Sequence, residues 1–392
     1  MRIGVLALAL GGCGFHQGSS PVDATGPLDA PDAPPMIDAP DGGGSGCTMH
    51  TLPPSVNVNP GTWAASFLTA PVWSCTSGGT TTIDSTTGTV SSTSCDLGTP
   101  ALANGVAQAS AGPTVLVVRL RGLTVSNGHI LKLVGDKPIV LLVAGPVEMT
   151  SGGIIDAGAS GATPGPGGSP SACADQASGL GQAGSSGWGG GGGGFGTAGG
   201  QGGWNTTNGG NANGSIGLTP LRGGCAGGAT PGSSMVGGGG GALEISAATT
   251  ITIDTGSIVA ASGGGGPATT GGGNGGGAGG GILLVAPALP SLGSSGVARA
   301  NGGAGSSGDN ASSGGGPNTA GQDGHLGDNN PATGGSGGDA GRSGGLAYIV
   351  GTGTLTTAPG SSTSPTQNGR GGGGGGGGRI VVTTWPTSTS CD

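Results

Sequence analysis

Seven cysteines, four histidines and eighteen carboxylates carry whatever side-chain chemistry this 392-residue chain has. Few of them stand where a reaction would need them. Glycine makes up 102 residues, so G-x-G-x-x-G matches arise by chance and carry no information. No Gly-Lys-Ser/Thr and no His-Glu-x-x-His occurs. The G-x-S-x-G match around Ser336 lacks the strand-to-helix context that a nucleophile elbow requires. His16, His50, His129 and His325 each read as solvated or structural, and no cysteine spacing resembles a zinc site. The sequence therefore assigns no catalytic residue. Two weaker patterns remain. Gly334 to Arg342, "GGSGGDAGR", fits the calcium-binding nonapeptide G-G-x-G-x-D-x-U-x except at Gly341, which makes Asp339 a weak metal candidate. One copy does not supply the six or more oxygens calcium takes, so no cofactor is expected, with calcium the single alternative. The second pattern is a column of residues closing successive repeats, Asp156, Val259 and Arg299, which predicts an exposed ridge with Asp156 and Arg299 as ion pair or ligand contact, or simply as solvated charges.

What could position such residues is set by composition. Charged residues are 7% and aromatics 2%, with two glutamates and two lysines in all. No stretch has the apolar stripe or polar face of a long helix. The net charge of −8 owes much to five aspartates between Asp23 and Asp41, and no basic patch exists to neutralise phosphates, which argues against nucleic acid as a partner.

The start of the chain, "MRIGVLALALGGC", has Arg2, an apolar run from Ile3 to Leu10, and small residues before Cys13. It resembles the signal peptide and lipobox of bacterial lipoproteins. That resemblance implies cleavage after residue 12, lipidation of Cys13, and, since Gly14 rather than aspartate follows, sorting to the outer membrane, on its periplasmic or cell-surface side. Residues 13–46 repeat Asp-Ala-Pro and bury almost nothing, a stalk that at ~3.1 Å per residue reaches roughly 100 Å. A β region or cap is expected at 47–112, the main body at 113–385 and a tail at 386–392.

In the body four segments align: "PIVLLVAGPVEMTSGGIIDAGASG" from Pro138, "GALEISAATTITIDTGSIVAASGG" from Gly241, "GILLVAPALPSLGSSGVARANGGA" from Gly281 and "GLAYIVGTGTLTTAPG" from Gly345. Each opens with an apolar burst and continues with shorter strands in which apolar and polar residues alternate, as in Ile251-Thr252-Ile253. "GRIVVTT" begins a further copy. Glycine-rich tracts at 158–241, 262–281, 301–345 and 359–378 separate the units. Short strands repeated at one phase predict an all-β fold, a right-handed parallel β-helix or solenoid whose glycine-rich insertions leave one corner. A β-sandwich with glycine-rich loops is the alternative. On this reading Val140–Val143, Leu243–Ile245, Leu283–Val285 and Ala347–Val350 form one parallel ladder, Ile245 points inward and Glu244 outward. The tracts either pack backbone to backbone or form a disordered fringe, and Trp188, Phe195 and Trp204 would anchor the first of them.

The lipobox, the Asp-Ala-Pro stalk and glycine tracts alternating with "GGALEIS", "GGILLVA" and "GGRIVV" together resemble bacterial glycine-rich surface lipoproteins, and the strand units resemble pectin-lyase-type β-helices. If Cys13 carries lipid, six cysteines remain for an oxidising compartment. Cys75 and Cys95 bracket a hairpin-like stretch, Cys173 and Cys225 share the first tract, and Cys47 and Cys391 would then join the ends. The expected function is a membrane-anchored, surface-displayed structural or adhesive protein without catalysis, in contact with polysaccharide or other surface components. The alternatives are a polysaccharide lyase or hydrolase, the common activity of the resembled fold, and a carbohydrate-binding module.

Overall fold

The computed structural model describes residues 49–391 except 178, 185–187, 204–206, 232, 255, 309–317, 327, 337–338, 351–353, 363–369 and 386–387. The signal peptide, Cys13, the stalk, Cys47 and Trp204 lie outside the described residues. From Thr48 onward the chain is one unit.

Twenty-one strands are present among the described residues. The first eight are β1 (Met49–Leu52), β2 (Val72–Cys75), β3 (Gly79–Asp84), β4 (Thr89–Ser92), β5 (Ala101–Val106), β6 (Val115–Leu120), β7 (Gly122–Val125) and β8 (His129–Val134). Three units of three follow: β9 (Ile139–Val143), β10 (Val147–Met149), β11 (Ile154–Asp156); β12 (Ala242–Ala247), β13 (Ile251–Ile253), β14 (Ile258–Ala260); β15 (Gly281–Ala286), β16 (Ser291–Leu292), β17 (Val297–Arg299). The chain closes with β18 (Leu346–Val350), β19 (Thr356–Ala358), β20 (Arg379–Thr384) and β21 (Ser388–Cys391).

These strands make three large sheets and one small one. The six-stranded sheet runs β20-β15-β12-β9-β6-β5, the five-stranded β16-β13-β10-β7-β2, the eight-stranded β19-β18-β17-β14-β11-β8-β3-β4, and β1 pairs with β21. Pairing is parallel in the middle of each large sheet, but β5, β4, β18 and β19 join antiparallel at the margins. Among the described residues no sheet closes on itself.

This corrects the predicted fold. The described chain is not a right-handed parallel β-helix with insertions at one corner, and its three open, partly mixed sheets are not the two of the sandwich alternative either. The fourth burst is where the predicted ladder fails. Ala347–Val350 lies in β18, which belongs to the eight-stranded sheet and runs antiparallel to β17, while the truncated copy, β20, takes the place beside β15. The physical reason is register. Glycine on both sides of "LAYIV" gives that burst no phase of its own, so its partner is selected by long-range pairing rather than by local pattern.

Burial explains why bursts and alternating strands read differently. The inward faces of all three large sheets share one core, including Leu141, Leu243, Ile245 and Leu284 from the six-stranded sheet, Met149 and Ile253 from the five-stranded, and Leu131 and Val259 from the eight-stranded. The outer face of the six-stranded sheet is also covered. Val117, Val140, Leu142, Leu283 and Val285 pack there against Leu52, Val58, Phe67, Phe195, Leu218 and Leu221. A strand buried on both faces must be apolar at every position, as "IVLLV" is. The five-stranded sheet is wet outside, and Val147-Glu148-Met149 duly alternates buried, exposed, buried.

Glu244 sits under that second cover. Its outward direction is as predicted, but it is fully buried. Asn57 Nδ2 donates to its Oε2 at 2.9 Å and Ser246 Oγ donates to its Oε1 at 2.8 Å. Burial raises the carboxyl pKa, opposed by hydrogen bonds from Ser55, Asn57, Ser246 and Val56.

Candidate contact site: the glycine sheaf

The described residues of the glycine-rich tracts pack against one another. Gly241 N–H donates to Ala157 at 2.9 Å and Gly302 N–H to Gly345 at 3.0 Å, so the feet of two tracts close side by side. Between the feet most of the described residues belong to no strand. Three of the tracts form a cycle. Gly190 and Gly193 donate to Gly273 and Gly276, both at 2.9 Å. Gly276 and Gly279 donate to Gly373 and Gly376, both at 2.9 Å. Gly373 and Gly376 donate back to Gly190 and Gly193, both at 2.8 Å. Every step is three residues, the period of a threefold extended helix of the polyproline II type, which has no internal hydrogen bonds and so offers its backbone to neighbours.

Such chains approach closely only if side chains are missing. A Cβ built on Gly192, Gly276, Gly277 or Gly375 falls onto the carbonyl of a neighbouring chain, nearer than the 3.0 Å limit that real Cβ atoms respect. The glycine runs are thus close-packed interior in which backbone takes the part of side chains.

Polar and covalent ties hold the sheaf. Asp323 Oδ1 accepts from Gly161 N–H at 2.8 Å and Gly265 N–H at 2.7 Å, joining two tracts through one carboxylate. Asn274, fully buried, receives Thr230 N–H at 3.0 Å and donates to Pro267 O at 3.0 Å. Cys173 and Cys225 form a disulfide within the first tract. Phe195 is buried in the outer core with the Arg222 guanidinium 6.0 Å from its ring centre, and Trp188 is half-buried.

The predicted site residues fall as follows. Cys75 and Cys95 are bonded, with Cα atoms 4.3 Å apart. Cys391 lies in β21 opposite Met49, but its pairing with Cys47 falls outside the described residues. The exposed ridge is corrected: Asp156 and Arg299 are 7% and 4% exposed, and Ala260, not Val259, stands in register between them. Asp156 instead pairs with Lys132 Nζ at 2.6 Å and accepts from Gly158 N–H at 2.7 Å, at the foot of the first tract. Arg299 donates to Leu326 O and to Asn329 Oδ1, the latter at 3.0 Å. Asp339 accepts Arg370 N–H at 2.8 Å and belongs to no group of three metal-ligating side chains among the described residues.

One such group does exist, and sequence spacing missed it. His129, fully buried, stands with Cys75 and Cys95 so that their ligand atoms lie within 4.8 Å of one another. The sulfurs are engaged in the disulfide, and His129 Nδ1 donates to Ser77 O at 2.9 Å while Nε2 faces Thr81 Oγ1 at 3.0 Å. The parallel pairing of β2 with β7 and of β3 with β8 brings these residues together, a relation that linear spacing does not encode.

On the flank of the sheaf lies an open groove of about 600 Å³. Its walls are two extended chains bonded by Gly181 N–H to Ala226 O at 3.1 Å and Gly184 N–H to Ala229 O at 2.8 Å, again a step of three. Leu180, Ala183, Ala226, Ala229 and Val236 line it, with Asp175 and Gln176 at the rim. No helix among the described residues is long and apolar enough to cross a membrane. No known protein family, curated protein or solved structure gives a significant match to this chain.

Proposed function

We propose that the chain is a lipid-anchored protein of the bacterial outer membrane that displays a glycine sheaf as a structural or adhesive surface and performs no catalysis. One observation carries this reading, namely that the described glycine runs, the part of the chain most costly to order, pack closely against one another. Fixing a glycine backbone takes more conformational entropy than fixing any other residue. A sequence that spends its glycines on mutual packing is maintaining a surface and a spacing, for which a mobile linker would not serve. The Cys13 lipobox and the Asp-Ala-Pro stalk supply the anchor and the reach in this reading. Several acyl chains, at ~0.8 kcal/mol per buried CH₂, make attachment effectively permanent. Surface components, polysaccharide among them, are the contacts such a display would meet.

The test is Cys13→Ser followed by fractionation. The expected outcome is a shift from the membrane fraction to the soluble one with the thermal unfolding midpoint unchanged. Retention in the membrane fraction would remove the anchor from the reading.

A further inference from the structure

The groove between 180–184 and 226–229 differs in chemistry from the three-chain cycle. In the three-chain cycle the faces at a three-residue step are glycine and meet another chain. Here the corresponding faces carry small side chains, Ala183 on one wall and Ala226 and Ala229 on the other, and meet open space. The N–H groups of Ala183, Ala226 and Ala229 have no acceptor among the described residues, although Ala226 is only 9% exposed. A backbone donor with no protein acceptor on the wall of a groove is free to take an incoming carbonyl.

We propose that this groove binds an extended, glycine-rich segment of another polypeptide, laid alongside the sheaf as one more threefold chain. The spacing selects that partner. Ala226 and Ala229 repeat at three residues, about 9 Å along an extended threefold helix that rises ~3.1 Å per residue. A partner of the same helical type offers carbonyls at that interval. A β-strand offers them every two residues, roughly 6.6 Å apart, and falls out of step at once. The alanine walls let a chain of small residues come close to both backbones. Among the described residues no aromatic side chain lines the groove to stack on a sugar ring. The interaction is the counterpart, for threefold chains, of strand addition at a sheet edge.

This gives the contact role proposed above a partner class, and rests on that reading but not on the anchor. A negative titration with intact Cys13-dependent membrane retention would remove the groove's ligand and leave the anchored display standing.

The experiment is calorimetric titration of the full chain with three probes. They are a soluble peptide of five Gly-Gly-Ala repeats with serine flanks, a Thr-Val peptide of equal length, and a neutral oligosaccharide. The Gly-Gly-Ala peptide is expected to bind, and Ala183→Trp and Ala229→Trp to weaken it at least tenfold. Ala183 is exposed, so its replacement leaves the fold intact and decides the matter even where Ala229→Trp impairs folding. The proposal is overturned by absence of binding, by equal binding to the Ala183→Trp variant, or by preference for the Thr-Val peptide or the oligosaccharide.

Discussion

Replacing Gly276 by alanine tests whether the sheaf is packed backbone to backbone. Gly276 stands in the three-chain cycle, donating to Gly373 and accepting from Gly193, each at 2.9 Å. A Cβ there would lie 2.6 Å from the carbonyl carbon of Gly303 and 2.8 Å from that of Ala304, with the Gly303 oxygen nearer still. All three atoms are backbone, so no side chain can rotate away and one chain must move. Moving it breaks or stretches the two bonds of Gly276 and the neighbouring bond from Gly303 N–H to Gly277 O at 2.9 Å. At a net ~1 kcal/mol each, the loss approaches ~3 kcal/mol. Alanine returns about 0.4–1 kcal/mol by restricting the unfolded chain, which leaves ~2 kcal/mol of destabilisation. Gly217→Ala is the control. It lies in the first tract, its nearest neighbour to a new Cβ is Thr219 Oγ1 at 3.9 Å, and it should be neutral or slightly stabilising. Urea unfolding of both variants measures the difference. Equal midpoints would refute close packing and return the tracts to a loose fringe.

Glu244→Gln should leave stability nearly unchanged at pH 4 and raise it at pH 8. The folded carboxyl has a raised pKa, so its contribution is complete below the unfolded value and is lost as pH climbs through the folded one. A urea midpoint difference that shrinks as pH rises would contradict the assignment. Glu244→Ala, by contrast, should destabilise at both pH values, because Asn57 Nδ2 loses an acceptor in a dry site. Asp323→Ala should cost about 2–4 kcal/mol by orphaning two N–H groups, and Asp323→Asn should recover part of that loss because one oxygen still accepts. Hydrogen exchange at Gly161 and Gly265 would locate the effect, and exchange unchanged in Asp323→Ala would rule the clip out.

What the amino-acid order settled by itself is local. Sparse charge and absent helical stripes meant strands, and alternation in "VEM" and "ITI" marked strands with one apolar and one polar face; that "IVLLV" is covered on both faces came from the structure. Cys75 with Cys95 and Cys173 with Cys225 were legible as pairs because each bracketed a single segment. Tertiary structure alone decided which sheet received "LAYIV", that Glu244 would be roofed by the 55–58 segment and Leu218, and that Asp156 and Arg299 would be buried. It also brought His129 to the disulfide and placed glycines from three separate tracts in one hydrogen-bonded cycle. The physical reason is the same in each case. A side chain announces its preferred face through its own pattern, whereas a glycine run has no face, and its register exists only in the contacts that neighbouring chains impose on it.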